Sequence, residues 1–343
     1  MMRVCALVLL FAAHIACAAV TDSVFLVGDA GLRGENDAVL RALRTDVTAS
    51  SASLGPGHVT VIFLGDNVYD NGVPDEQDTR SFRAALKRLR GEVQNAAVND
   101  GVRVFFVPGN HDWDKAGRRG LANIRRQAAE LTTMNVEMLP RQGCPGPEIQ
   151  NAGERLQVLF LDTQWWLHKF DKPTTTCTPG TKEGVATAIA SALANAGGRM
   201  TIVVAHHPLT SAGPHGRDLE SDATEQDQQN AANRAMRDAI TRSFTAAPPL
   251  AWVSGHEHTL EVLKGTSARY FLVSGAGNAK HADVAIPDLA RGDWLFAFPL
   301  RNQPRSNGGY MRLDVPDAGA PSVFVITVDP RGAKQTRFVQ RLD

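Results

Sequence analysis

Val61-Ile-Phe-Leu-Gly-Asp-Asn-Val-Tyr69 is an apolar run that stops at a glycine and a carboxylate, with a phenol three residues on. Four apolar residues rich in β-branched and aromatic side chains read as a strand buried on both faces, and Gly65 lets the backbone turn sharply at its carboxyl end. Open α/β sheets carry their chemistry at such ends. Similar punctuation recurs at Val24-Phe-Leu-Val-Gly-Asp-Ala-Gly31, Val104-Phe-Phe-Val-Pro-Gly-Asn-His-Asp112, Thr201-Ile-Val-Val-Ala-His-His-Pro208 and Leu250-Ala-Trp-Val-Ser-Gly-His-Glu-His258. Five strand ends thus bring Asp29, Asp66 with Tyr69, Asn110 with His111, His206, and the pair His256 and His258 toward one rim.

Between these strands the apolar period changes to that of a helix. Val39, Leu40, Leu43 and Val47 share one face behind a cap at Asn36 or Asp37, and Ser50 to Gly57 reads as a loop. Asp78 caps a stripe of Phe82, Ala85, Leu86, Leu89 and Val93; Leu121, Ile124, Ala128 and Leu131 make a third helix. Pro140 to Gly153 reads as a loop, Leu156 to Leu161 as a strand, and Trp165 to Gly180 as an irregular segment. Helices follow at Val185 to Leu193 and Ala232 to Phe244, on either side of a polar loop, Ser211 to Asp227. Beyond His258 come short strands without helices, at Tyr270 to Ser274, Tyr310 to Val315 and Val323 to Val328, with antiparallel pairing expected and an excursion over Ala282 to Asn307. Alternation followed by consecutive strands predicts an α/β fold of two face-to-face mixed β-sheets flanked by helices.

The donor-bearing ends run from Asp29 to His258, so one site implies one domain, residues 20–343 of the 343. Lys+Arg 36 against Asp+Glu 36 leaves no basic footprint for nucleic acid and no charged tail. At the other extreme, Arg3, the apolar run Val4 to Ala13 and the small residues of Ala16-Cys-Ala-Ala-Val20 form the pattern of an export signal, residues 1–19. The run is shorter than the roughly 20 residues of a membrane span; an uncleaved anchor or a lipidated Cys17 are the alternatives. Export places the protein outside the cytoplasm, secreted or periplasmic. Cys144 and Cys177 then remain, an even pair in an oxidising compartment, and a disulfide between them is expected; two unrelated thiols are the bland alternative.

Singly, each strand-end residue has a dull explanation as a turn, a cap or a core histidine. Together, oxygen donors early in the chain and imidazoles late in it suit iron, manganese or zinc better than calcium or magnesium. Asp29-Ala-Gly31, Gly65-Asp-Asn-Val-Tyr69, Gly109-Asn-His-Asp112, Val203-Val-Ala-His206 and Gly255-His-Glu-His258 resemble the five ordered blocks of the purple acid phosphatases, within the calcineurin-like metallophosphoesterases. Most of that superfamily has Asp-x-His in the first block; this chain has Gly31 there and Tyr69 in the second, the mark of the purple branch. The compact size resembles the small, tartrate-resistant type.

The resemblance implies a four-layer α/β/β/α sandwich and a binuclear centre. Asp29, Asp66, Tyr69 and His258 would hold Fe(III); Asp66, Asn110, His206 and His256 would hold a divalent ion, Fe, Zn or Mn. It further implies hydrolysis of small phosphate monoesters in acid by a metal-activated water. His111, with Asp112 orienting its ring, and His215 would act on the phosphoryl group or the leaving oxygen. Two other readings stand beside this one: a phosphodiesterase or nucleotidase with the same metals, and an exported iron-binding or redox protein with little turnover. Nothing in the sequence sets the oligomeric state.

Overall fold

The computed structural model describes residues 18–32, 37–96, 101–216, 224–278, 293–300 and 308–343. The export signal, apart from Ala18 and Ala19, and most of the 282–307 excursion lie outside these residues. Strand alternation sorts the apolar side chains into two interiors. In β1 (Val20–Val27), Val24 and Leu26 join Ile62, Leu64, Val107, Ile202, Val204, Val253 and Leu272 between two sheets. Phe25 and Val27 face the opposite way, with Val61, Phe63 and Phe106, against helices.

The first sheet begins with β1, β2 (Val59–Phe63), β3 (Arg103–Phe106) and β4 (Glu137–Met138), all parallel. The second contains β5 (Glu148–Ala152), β6 (Leu156–Phe160), β7 (Met200–Val204), β8 (Ala251–Ser254), β9 (Leu260–Lys264), β10 (Tyr270–Ser274) and β11 (Trp294–Phe298), in the order β11-β9-β10-β8-β7-β6-β5. The chain then returns to the first sheet as β12 (Gly308–Pro316), β13 (Ser322–Val328) and β14 (Lys334–Arg341), giving β14-β13-β12-β1-β2-β3-β4. Both sheets are mixed and have seven strands.

Helices cover the outer faces. α1 (Ala38–Leu54), α2 (Thr79–Ala96) and α3 (Gly120–Thr133) serve the first sheet; α5 (Lys182–Ala194) and α6 (Ala231–Ser243) serve the second, where Phe244 meets Trp252 with ring centres 6.1 Å apart. Between them α4 (Thr163–Leu167) is a single buried turn. Of the two cap candidates, Asp37 starts α1 by accepting the Val39 amide at 2.7 Å.

Several local expectations change. α1 runs through Ser50–Leu54 and stops at Gly55, whose φ of 89° and ψ of 175° leave the helix in a conformation that glycine alone adopts freely. The 140–153 stretch contains β5, and the 282–307 excursion contains β11. β10 is antiparallel to β9 but parallel to β8, so the late strands are not a purely antiparallel set. Cys144 and Cys177 form the expected disulfide, with Cα atoms 5.6 Å apart. Among the described residues no helix is long and apolar enough to cross a membrane.

Candidate metal centre

Strands β1, β2 and β3 lie side by side in one sheet, and β7 and β8 do so in the other. Their carboxyl ends meet at a seam where the two sheets are hydrogen-bonded to each other. There the Gly28 amide donates to the Ser274 carbonyl at 2.7 Å, and Ser274 Oγ donates to the Leu26 carbonyl at 2.7 Å. Gly65 is needed in this seam: its φ is 94°, and a Cβ would lie 2.4 Å from His206 Nδ1. Asp29, Asp66 and His256 turn out of their strands with φ of 60°, 56° and 69°. Such left-handed geometry costs a non-glycine residue about 1–2 kcal/mol, and it gathers at functional sites where surrounding bonds enforce it. Here the Asp29 amide donates to the Gly65 carbonyl at 3.0 Å and the His256 amide to Asp29 Oδ2 at 2.8 Å.

The seven donors expected from the sequence form two adjoining clusters. In one, Tyr69 OH stands 3.1 Å from Asp29 Oδ1 and 3.4 Å from His258 Nε2, with Asp29 Oδ1 3.5 Å from His258 Nε2. In the other, Asn110 Oδ1 lies 2.9 Å from His206 Nε2 and 3.1 Å from His256 Nδ1, and the two ring nitrogens are 3.2 Å apart. Asp66 belongs to this second group through Oδ1, 3.4 Å from His206 Nε2, while Asp29, Asp66 and His206 also offer a common set of donor atoms.

The tautomers show what this arrangement suits. His206 Nδ1 contacts the Leu64 carbonyl at 2.9 Å and His256 Nε2 the Gln226 carbonyl at 3.1 Å. Carbonyls only accept, so those nitrogens carry the protons and the opposite ones present lone pairs. Burial, with His215, His207 and His206 nearby, keeps His256 well below the ordinary imidazole range and therefore neutral. Three lone pairs, from Asn110, His206 and His256, then converge with no hydrogen between them; a divalent cation fits that geometry. The other cluster is built from acidic oxygens. Burial pushes the Asp29 carboxyl up to about 7. Burial also opposes the charge of Asp66, yet His206 and His111 hold it below the ordinary range. Burial and then the charges of Asp29 and Asp66 drive the Tyr69 hydroxyl well above its usual value. A phenol and carboxylate so placed suit a hard cation of high charge.

His111 and His215 stand at the mouth. The His111 ring packs on Tyr69 at 4.2 Å and its Nδ1 donates to the Asp70 carbonyl at 2.7 Å. Asp112 does not orient that ring, contrary to expectation. Its carboxylate accepts instead from the amides of Gly109 (2.8 Å), Val68 (3.0 Å) and Asn67 (3.1 Å) and from Asn67 Nδ2 (2.9 Å). A buried carboxylate takes several N–H donors where they are available, and here it staples the loop bearing Asp66 to the loop bearing Asn110. His215 packs on His256 at 4.4 Å. His207 is buried and held neutral, its value lowered by burial to about 3, between Thr163 Oγ1 at 2.8 Å and Gln226 Oε1 at 2.7 Å. Thr163, Gln226 and Asp227 were not foreseen. Thr163 adjoins the Asp162 strand end, but Gln226 and Asp227 sit in a polar loop with no spacing signal.

Gly31 explains the altered first block. A Cβ there would lie 2.1 Å from the Asn67 carbonyl carbon and oxygen. No histidine can stand at that position. The space belongs to the segment that swings Tyr69 onto Asp29.

A calcineurin-like phosphoesterase family model matches residues 23–260. Over 268 residues the chain is 25% identical to purple acid phosphatase 17 and to purple acid phosphatase 3 of Arabidopsis thaliana, in alignments covering 75% of this chain and 68% and 63% of theirs. Among solved structures it is similar to GAP50, the anchor in the inner membrane complex of Plasmodium, with a TM-score of 0.58 at 14% identity, over 94% of this chain and 89% of that one.

Proposed function

The chain belongs to the calcineurin-like phosphoesterase family, and from that premise we propose that it is a binuclear acid phosphatase of the purple type, acting on small phosphate monoesters. The observation that carries this reading is the contact of Tyr69 with Asp29 and His258. It supports Asp29, Tyr69, His258 and Asp66 as the donors of Fe(III), and Asp66, Asn110, His206 and His256 as those of Fe, Zn or Mn in the divalent state. Bound there, the two cations would supply Lewis acidity toward the phosphoryl oxygens and acidify a water nucleophile.

The protein's own residues do the rest. Carbonyls of Leu64 and Gln226 fix the rings of His206 and His256 with lone pairs inward. Asp112 holds the two loops in register. His111, with Nδ1 bonded to Asp70, keeps Nε2 toward Asp66, at 3.8 Å from Oδ2; it donates to the phosphoryl group or protonates the leaving oxygen. His215 approaches from the opposite sheet. Export after loss of residues 1–19 is part of the proposal, supported by the Cys144–Cys177 bridge.

The test is metal analysis and a visible spectrum of the purified protein, followed by Tyr69→Phe, with turnover of monoesters and diesters compared at acid pH. The variant should keep iron, lose the phenolate absorption band and lose turnover. An unchanged spectrum would refute the phenolate assignment, and preference for diesters would refute the monoester reading.

A further inference from the structure

Three histidines from two different segments are held by one short turn. The Gln226 carbonyl accepts from His256 Nε2 at 3.1 Å, and its side-chain oxygen accepts from His207 Nε2 at 2.7 Å. The next residue, Asp227, accepts from His215 Nδ1 through Oδ1 at 2.6 Å. Its other oxygen takes the Thr224 amide at 2.7 Å and the Thr224 hydroxyl at 2.9 Å. The Gln228 amide then donates to the His215 carbonyl at 2.8 Å. His215 is thus fixed in backbone and side chain by the same turn, although its residue lies in a separate segment.

The turn is itself tied down. Asn233 Nδ2 on α6 donates to the Glu225 carbonyl at 3.1 Å, Arg237 donates to the Gln228 carbonyl at 2.8 Å, and Glu225 pairs with Lys169. Asp227 is 8% exposed, and a buried carboxylate with one oxygen committed to backbone and hydroxyl donors has no freedom to follow a moving partner. The imidazole must come to it. With Nδ1 taken by Asp227 and the ring face against His256, Nε2 is the ring nitrogen that no hydrogen bond among the described residues engages.

We infer that Asp227 is a positioning residue that orients His215, so that Nε2 meets an anionic phosphoryl group bound beside His256. The inference rests on the proposed function for its substrate class, but not for its geometry. A carboxylate behind Nδ1 accepts the proton there, so it selects the tautomer and fixes the plane of the ring with Nε2 on the opposite side.

The experiment compares wild type with His215→Ala, Asp227→Ala, Asp227→Asn and the double variant His215→Ala/Asp227→Ala, all metal-loaded. It reads kcat, KM, inhibition by inorganic phosphate, metal content, and the 15N shifts of the His215 ring. Asp227→Ala is expected to lower kcat/KM and weaken phosphate inhibition together by about 10²-fold, the order of loss for a group misplaced by 1 Å, with both metals retained. Asp227→Asn keeps an acceptor and the shape of the turn, and should lose less. Because Asp227 acts through His215, the double variant should match His215→Ala alone. Multiplying losses in the double variant, or a wild-type His215 with Nδ1 unprotonated, would overturn the inference. Should the loaded wild type hydrolyse no phosphate ester, the proposed function fails by itself; phosphate affinity and the ring shifts still judge Asp227.

Discussion

Replacing Gly31 by Ala tests whether the first block is shaped by packing rather than by ligand chemistry. The added Cβ would sit 2.1 Å from the Asn67 carbonyl carbon and oxygen and 2.6 Å from the Val68 nitrogen, where real contacts stay beyond 3.0 Å. All three atoms are backbone, so no rotamer can relieve the clash, and the segment must retreat by about 1 Å. Overpacking of this kind costs about 1–3 kcal/mol. For a chain of this length that is roughly 2–4 °C in Tm. The retreat carries Tyr69 away from Asp29, whose contact is 3.1 Å, and a misplacement of about 1 Å predicts about a 10²-fold fall in kcat/KM. Thermal unfolding followed by circular dichroism reads the first effect, and turnover with the visible band reads the second. Gly332→Ala is the control: its Cβ meets open space, so only the backbone strain of a φ of 89° is added and turnover should not change. A Gly31→Ala protein with wild-type Tm, band and turnover would refute the steric account.

Asp112→Ala leaves the amides of Asn67, Val68 and Gly109 without their acceptor in a buried loop; a loss of about 3–5 kcal/mol is expected in denaturant titrations, together with metal. Reducing the bridge that closes the 33-residue separation between Cys144 and Cys177, or Cys144→Ser, should cost about 3–4 kcal/mol by the loop-entropy relation, read as a lower denaturation midpoint. Burial pushes the Asp162 carboxyl up to about 7, against acceptance from Trp165 N and Trp113 Nε1. A raised carboxyl adds stability below its unfolded value that is lost as pH rises through the folded one. Wild-type stability should therefore fall more steeply between pH 4 and 7 than that of Asp162→Asn; parallel pH curves would contradict it.

The centre was legible because five buried strands announce themselves by apolar runs that stop at glycine and then at a donor. Two of the missed strands lack that signature for a physical reason. β14, Lys-Gln-Thr-Arg-Phe-Val-Gln-Arg, and β5, Glu-Ile-Gln-Asn-Ala, are sheet edges that bury little, and polar edges guard against unwanted pairing. The tail of α1, rich in Ser and Thr, reads as loop from propensity, yet burial of Ser51 against the core carries the helix to Leu54. Asp112 and Asp227 show the remaining limit. Their residue types were visible, but the partner each carboxylate takes depends on side-chain direction, which periodicity does not encode.

The pairing of β1 has a consequence for synthesis. Ser23 on β1 binds Asp314 on β12 across 291 positions, so β1 lies in the middle of its sheet while its second neighbour is among the last segments made. When His258 emerges from the ribosome every proposed metal donor exists, yet one margin of β1 is still bare. Contacts this remote slow folding, and a bare margin is a template for foreign strands. A nascent or translocating chain would need chaperone cover until β12 arrives, and ion capture before then would occur in a half-built protein.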